Sequence, residues 1–310
     1  MNIGDLRSDE LFQRCGGAGL RVKIGPFVFR LHSPIGSFVE DFSCAYSGFP
    51  VGEESEVSDF RIRLTPAPRW RPWREPQALF WADGASPFEQ FARRIALPWA
   101  EWGLNWCIYS YAHQFLIIHS AVVEKAGRAA ILAGPSGSGK STLCAALLAG
   151  GWRLLSDEFA LLDPARGWLL PIPRPVALKD ASINLIGKFL PHTQLTRVFA
   201  ATRKGRIAYL RPPAEAVERQ AAPARPAWVL FPTRSDDAMT ELVPLSPAAG
   251  FVRLETNCFN YAELGRLAFR ALGNLIKAVS CYALPFAQVE AAVELVEGLA
   301  QFQPAAGVPV

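Results

Sequence analysis

The sequence predicts an α/β protein, with a mostly β accessory region over residues 1–112 and an α/β core over 113–303. Three observations carry this reading. Residues 115–156 run strand, strand, glycine loop, helix, strand. Further strands and amphipathic helices follow from residue 227 onward, whereas residues 20–65 are short apolar or alternating runs of strand type. The core's strand, loop, helix, strand order is that of a doubly wound sheet.

In the first region, residues 20–24 and 27–31 read as strands parted by Gly25-Pro26, and 59–64 alternates again. Residues 66–76 are rich in Pro, Arg and Trp and read as a loop; 87–106 reads as a helix that Pro98 breaks or kinks. Trp70, Trp73 and Trp81 are either packing anchors or a ligand surface.

In the core, 115–123 is a strand of buried type, and 128–133 is a second that runs into the glycine loop. A short helix over 141–148 ends at Gly150-Gly151, and a strand over 153–156 ends at Asp157. Residues 163–225 are Pro-rich and irregular. Strands are expected at 227–231, 241–245 and 281–284. A helix over 261–279 carries Leu264, Leu267, Ala271, Leu275 and Val279 on one stripe. A last helix over 286–299 turns Val289, Val293 and Val296 inward. No internal repeat occurs.

Composition narrows the function. Of 310 residues, 50% are hydrophobic and 19% charged, enough for a sizeable core. The net charge of +4 and the scattered arginines lack the basic run that tracks nucleic acid. Cys15, Cys44, Cys107, Cys144, Cys258 and Cys281 are too far apart for a zinc or redox motif; they read as reduced thiols in a cytoplasmic protein. The N-terminus holds Asp5, Asp9 and Glu10 and lacks the apolar run of a signal peptide. Residues 102–123 carry no formal charge, but Asn105, Ser110, His113, Gln114 and His119 make a poor lipid-facing helix. A buried helix leading into a buried strand is expected there instead of a membrane span.

The main chemical signal is the run Gly134, Pro135, Ser136, Gly137, Ser138, Gly139, Lys140, Ser141, followed by Thr142. It matches the phosphate-loop pattern G-x-x-x-x-G-K-[ST] between a strand and a helix. Glycines let the backbone curl around an anion, and the loop and helix N–H groups then point at phosphates. Lys140 suits the β and γ phosphates of ATP, and the Ser141 hydroxyl suits Mg²⁺. Asp157-Glu158 follows the next strand. At a strand's C-terminal end beside the loop, Asp157 can hold Mg²⁺, directly or through water, or accept a hydroxyl proton; a helix cap or solvated loop acid is the plain alternative. His119, in an apolar strand, reads as a hydrogen-bonded core residue or as a catalytic one.

Ile118-His119-Ser120, the loop from Gly134 to Ser141, and Leu154-Leu155-Ser156-Asp157-Glu158 together resemble the HPr kinase/phosphorylase family. The run from Pro173 through Arg174 to Lys179, and Arg203-Lys204-Gly205-Arg206, are similar to stretches in its HPr-kinase-related kinase A branch, which is associated with exosortase and exopolysaccharide loci. The resemblance covers about residues 115–300. It implies a phosphate-loop kinase core related to phosphoenolpyruvate carboxykinase. It also implies an ATP- and Mg²⁺-dependent transfer to a hydroxyl, with Asp157 as base, Glu158 and His119 assisting, Lys140 on the phosphates, and Ser141 and Asp157 on the metal. Glu158 stands where the family usually has a second Asp, and the stretch after Asp163 departs from the family's later signature, so HPr is not carried over as acceptor. A protein hydroxyl is the expected acceptor, with a small-molecule hydroxyl as the alternative; a homo-oligomer is compatible with the chain. A transporter-type ATPase would need an L-S-G-G-Q-like signature, which the sequence lacks; a regulatory nucleotide-binding module is the remaining alternative. Arg174, Arg203 and Arg206 are candidate cations for the transferring phosphate.

Overall fold

The structure, a computed structural model, describes residues 1–53, 55–68, 75–190 and 195–301. Trp70 and Trp73 and most of the 66–76 loop lie outside the described residues. The chain is mixed α/β and divides into two compact units. One comprises Met1–Ala112, Ile172–Gly187 and Pro191–Ala221; the other comprises His113–Pro171, Lys188–Leu190 and Ala222–Val310. One junction between the units falls at 112/113. Residues 172–187 and 191–221 belong to the first unit.

The first unit begins with α1 (Ser8–Gly16), β1 (Leu20–Ile24), β2 (Phe27–His32), α2 (Gly36–Tyr46), β3 (Phe60–Pro66), β4 (Gln77–Ala82), β5 (Phe91–Ala92) and α3 (Ala96–Tyr111). The strands form one sheet in sequence order, antiparallel except for the parallel β2–β3 pair. Three helices accompany this sheet, so the region is less dominated by strands than expected. Pro98 does not break α3. It lies in the first turn, where its missing N–H costs no helical hydrogen bond. Trp81 donates its indole N–H to Thr65 Oγ1 at 3.0 Å, as a packing anchor does.

In the second unit, β6 (Leu116–Lys125) and β7 (Arg128–Ala133) form a hairpin. Its two turn residues, Ala126 and Gly127, have φ of 52° and 79°, the geometry of a primed turn that suits strand twist. Residues 102–123 are thus a helix end, a break and a strand; among the described residues no helix is long and apolar enough to cross a membrane. The loop after β7 leads to α4 (Lys140–Ala149). Gly151, at φ 78°, ends that helix, with Gly151 N–H on Leu148 O and Trp152 N–H on Leu147 O. Then come β8 (Arg153–Ser156), β9 (Phe159–Leu162) and β10 (Leu169–Leu170).

The 172–221 stretch is not irregular. It forms β11 (Val176–Lys179), α5 (Ala181–Phe189), β12 (Phe199–Thr202), β13 (Gly205–Leu210) and α6 (Ala214–Glu218), with the strands paired as β11-β13-β12. The chain then completes the second unit with β14 (Arg225–Arg234), β15 (Val243–Pro244), α7 (Pro247–Glu255), α8 (Tyr261–Leu264), α9 (Arg266–Ala278), β16 (Ser280–Phe286) and α10 (Val289–Gln301).

The second unit's sheet runs β10-β9-β6-β7-β14-β16-β15, with β8 also on β6. It is not doubly wound. The β6–β7 hairpin occupies the edge of β7 that a crossover strand would take, so β8 pairs antiparallel with β6 and only β14 lies parallel beside β7. Helices α4 and α10 pack on one face. On the other face, α7 and α9 close a core that includes Ile118, Val122, Ile131, Val229, Phe231, Leu272 and Leu275. The expected 261–279 helix is interrupted at Gly265, which adopts φ 52°. This rotates the buried stripe to Ala268, Ala271, Leu272, Leu275 and Ile276, and leaves Leu267 46% exposed. Across β6 and β8 the buried carboxylate of Glu124 pairs with the buried guanidinium of Arg153, which also donates to Ala222 O at 3.0 Å.

Candidate functional site

The glycine loop leaves β7 at Gly134 and enters α4 at Lys140. Its backbone needs glycine at particular places. Gly134, Gly137 and Gly139 have φ of 149°, 87° and 99°, and a Cβ at Gly139 would lie 2.7 Å from Phe286 Cζ. The first backbone hydrogen bond of α4 is Leu143 N–H to Gly139 O; amides before it point out of the helix N-terminus toward the loop. Lys140 is 7% exposed, and its Nζ donates to Gly134 O at 2.6 Å and Pro135 O at 2.9 Å. The ammonium is therefore folded back over the loop's first residues. Ser138 Oγ is buried and, among the described residues, makes no hydrogen bond. A buried hydroxyl in that condition calls for an outside partner. Ser141 is half-buried, Thr142 buried, and Pro135, Ser136 and Gly137 form the exposed rim.

The acids sit where β8 passes into β9. Both strands pair with the same edge of β6, Ser156 with Val122 and Phe159 with His119, and Asp157-Glu158 is the two-residue step between them. Ser156 Oγ holds the step by accepting from Glu158 N–H at 3.3 Å and Phe159 N–H at 3.1 Å. Asp157 is 6% exposed and Glu158 half-buried. Asp157 is at the loop's end of the sheet, as expected, but β6 stands between β8 and β7. Two strand spacings, about 10 Å of backbone, separate it from the start of the loop. Burial pushes the Cys144 thiol of α4 well up, and Asp157 pushes it further the same way.

His119 lies one residue beyond Ser120, the last β6 residue paired with β7, whose partner is Ala133. Ile118 and Val122 face the α7–α9 core, so alternation turns His119 toward the α4 face, where the loop also lies. Beyond the point where β7 turns away, residues 257–259 take over this edge of β6. His119 N–H donates to Asn257 O at 2.7 Å, Phe259 N–H donates to Ile117 O at 2.9 Å, and the His119 ring packs on Phe259 with centroids 5.6 Å apart. Asn260, 1% exposed, pins the segment by accepting from Ile117 N–H and donating to Phe115 O. Sequence reasoning missed this segment and the Phe286 contact with Gly139. Both depend on pairing between residues more than a hundred positions apart, and no local pattern marks them.

The candidate arginines are in the first unit. Arg174 is 3% exposed and held by Glu101 and Asn105. Arg203 lies over the Trp99 ring at 5.5 Å, and the backbone N–H of Arg206 donates to Asp180 Oδ1. Among the described residues, no group of three or more His, Cys, Asp or Glu side chains gathers as a metal site. No protein-family model matches the chain, and no curated protein matches it.

Proposed function

We propose that the chain is an ATP- and Mg²⁺-dependent phosphotransferase of the HPr-kinase-related type, which delivers the γ-phosphate to a hydroxyl, on a protein in the leading reading. The observation that carries this is the loop itself. Its left-handed glycines, the Lys140 ammonium held over Gly134 and Pro135, and the buried hydroxyl of Ser138 form a cradle suited to a polyphosphate. The loop amides and Lys140 would hold the phosphates. Ser141 would hold Mg²⁺ directly and Asp157 would reach it through water; the ion supplies neutralisation of phosphate charge when bound.

In the transfer, the acceptor oxygen forms a bond to the γ phosphorus, the bond from that phosphorus to the β–γ bridging oxygen breaks, and ADP leaves with the electron pair. Asp157 takes the hydroxyl proton, with Glu158 and His119 beside it on β6 and its neighbour. The test is incubation with γ-labelled ATP, Mg²⁺ and a lysate of the source cells. Label on a protein hydroxyl, lost with Lys140→Ala, is expected. Label on a metabolite would move the acceptor to a small molecule, and ATP hydrolysis with no transfer to either would overturn the kinase reading.

A further inference from the structure

We propose that Arg234, at the C-terminal end of β14, is the cation that grips the terminal phosphoryl group of the nucleotide. The inference rests on the nucleotide reading above and names a residue that the phosphate-loop pattern does not include. Three placements converge on it. Strand β14 runs parallel beside β7, with Leu230 opposite Leu132, so its end emerges where the loop begins. A Cβ on Gly134 would lie 3.7 Å from Pro232 O, two residues before Arg234. On its other edge Arg234 is in register with Phe286, whose ring abuts Gly139 at the far end of the loop. Arg234 thus sits one strand away from both ends of the cradle.

Its direction follows from strand alternation. Val229 and Phe231 face the α7–α9 core, while Trp228 packs on Trp152 just after α4. Arg234 shares the Trp228 face, on the side of α4 and the loop, and is exposed. Other arginines of these strands are engaged elsewhere: Arg128 lies over Trp228, Arg225 over Trp168, and Arg153 is on Glu124.

The end of the nucleotide it meets follows from Lys140. A phosphate-loop lysine reaches the β and γ phosphates. The Lys140 ammonium lies at Gly134 and Pro135, so the terminal phosphate belongs at that end of the loop, beside Pro232 and Arg234. An arginine there offers a planar fork to the phosphoryl oxygens.

The experiment is calorimetric titration of wild type, Arg234→Ala and Arg234→Lys with Mg²⁺ and either a non-hydrolysable ATP analogue or ADP. Arg234→Ala should weaken the analogue by about 10- to 100-fold while ADP affinity changes by less than about threefold, and Arg234→Lys should recover part of the loss. An unchanged analogue affinity, or equal losses for analogue and ADP, overturns the assignment while leaving the nucleotide reading intact. Wild type that binds neither nucleotide overturns the nucleotide reading, and the assignment with it. The substitution is at an exposed position, and melting without nucleotide checks that each variant is folded.

Discussion

The loop's glycines make a prediction whose size the structure sets. Gly137 and Gly139 both have φ in the left-handed region, 87° and 99°. Alanine at either position takes on strain of about 1–2 kcal/mol, partly offset by about 0.4–1 kcal/mol from a stiffer unfolded chain. At Gly137 the added methyl meets nothing within 4 Å. At Gly139 it would lie 2.7 Å from the tip of Phe286, a ring that is 1% exposed and unable to swing into solvent. Overpacking of this kind adds about 1–3 kcal/mol. Gly139→Ala should therefore be less stable than Gly137→Ala by about 1–3 kcal/mol, or about 2–4 °C of melting temperature per kcal/mol. Denaturant titration followed by circular dichroism reads the difference, with an unchanged m-value showing that the same surface unfolds. Equal destabilisation of the two variants would refute the contact between the loop and β16.

Three further outcomes are expected. Lys140→Ala should leave the circular dichroism spectrum intact and weaken ATP-analogue binding by at least about tenfold in calorimetry, because a charge-assisted contact is lost. Asp157→Asn should keep most analogue affinity and lose about 10²–10⁴-fold in single-turnover transfer, with Glu158→Gln milder; the reverse order would move the base to Glu158. Burial pushes the thiols of Cys15, Cys107 and Cys258 up to about 12 from 9.0, so the folded chain holds protons that the unfolded chain releases. Their contribution is complete below about pH 9 and drains away between about 9 and 12, so the urea midpoint should fall on going from pH 8 to pH 10 and thiol labelling should stay slow at pH 8.

The parts legible from sequence are those whose signal is local. Strand β7, the loop, α4 and β8 follow from an apolar run, three glycines and a Gly-Gly stop, and each falls within one residue of its expected place. Helix α2 had no such mark: apart from Glu40 and Ala45, Gly36–Tyr46 is made of Gly, Ser, Phe, Val, Asp, Cys and Tyr, weak helix formers that are held there by packing. The 261–279 helix had the right period but the wrong phase, because a glycine in the left-handed region restarts the helix and shifts which residues face inward. The return of 172–187 and 191–221 to the first unit could not be read, since it depends on partners such as Glu101 and Asn105, about seventy residues away from Arg174. Arg234, proposed above as a phosphate-gripping cation, escaped notice for a related reason. Nothing in Pro232-Thr233-Arg234 marks a site until β14 is known to lie beside β7.

The position of the acids has a consequence for chemistry. On the expectation of a doubly wound sheet, the strand carrying Asp157 would be next to β7, leaving about 5 Å between its end and the loop. A transferring phosphoryl group must stand about 3–3.5 Å from the attacking oxygen, and the base about 3 Å from that oxygen again. Strand β6 adds a second spacing: Ser120 pairs with Ala133 on one edge and donates its N–H to Glu158 O at 3.3 Å on the other. The same residue thus spans from the last position before the loop to the acid step. On the phosphotransferase reading, the interposed strand sets the loop and the acid step about 10 Å apart in backbone, with His119 one residue along β6 between them. A change that shifts β6 moves both sides of that gap, whereas a change in α4 moves only the phosphate side.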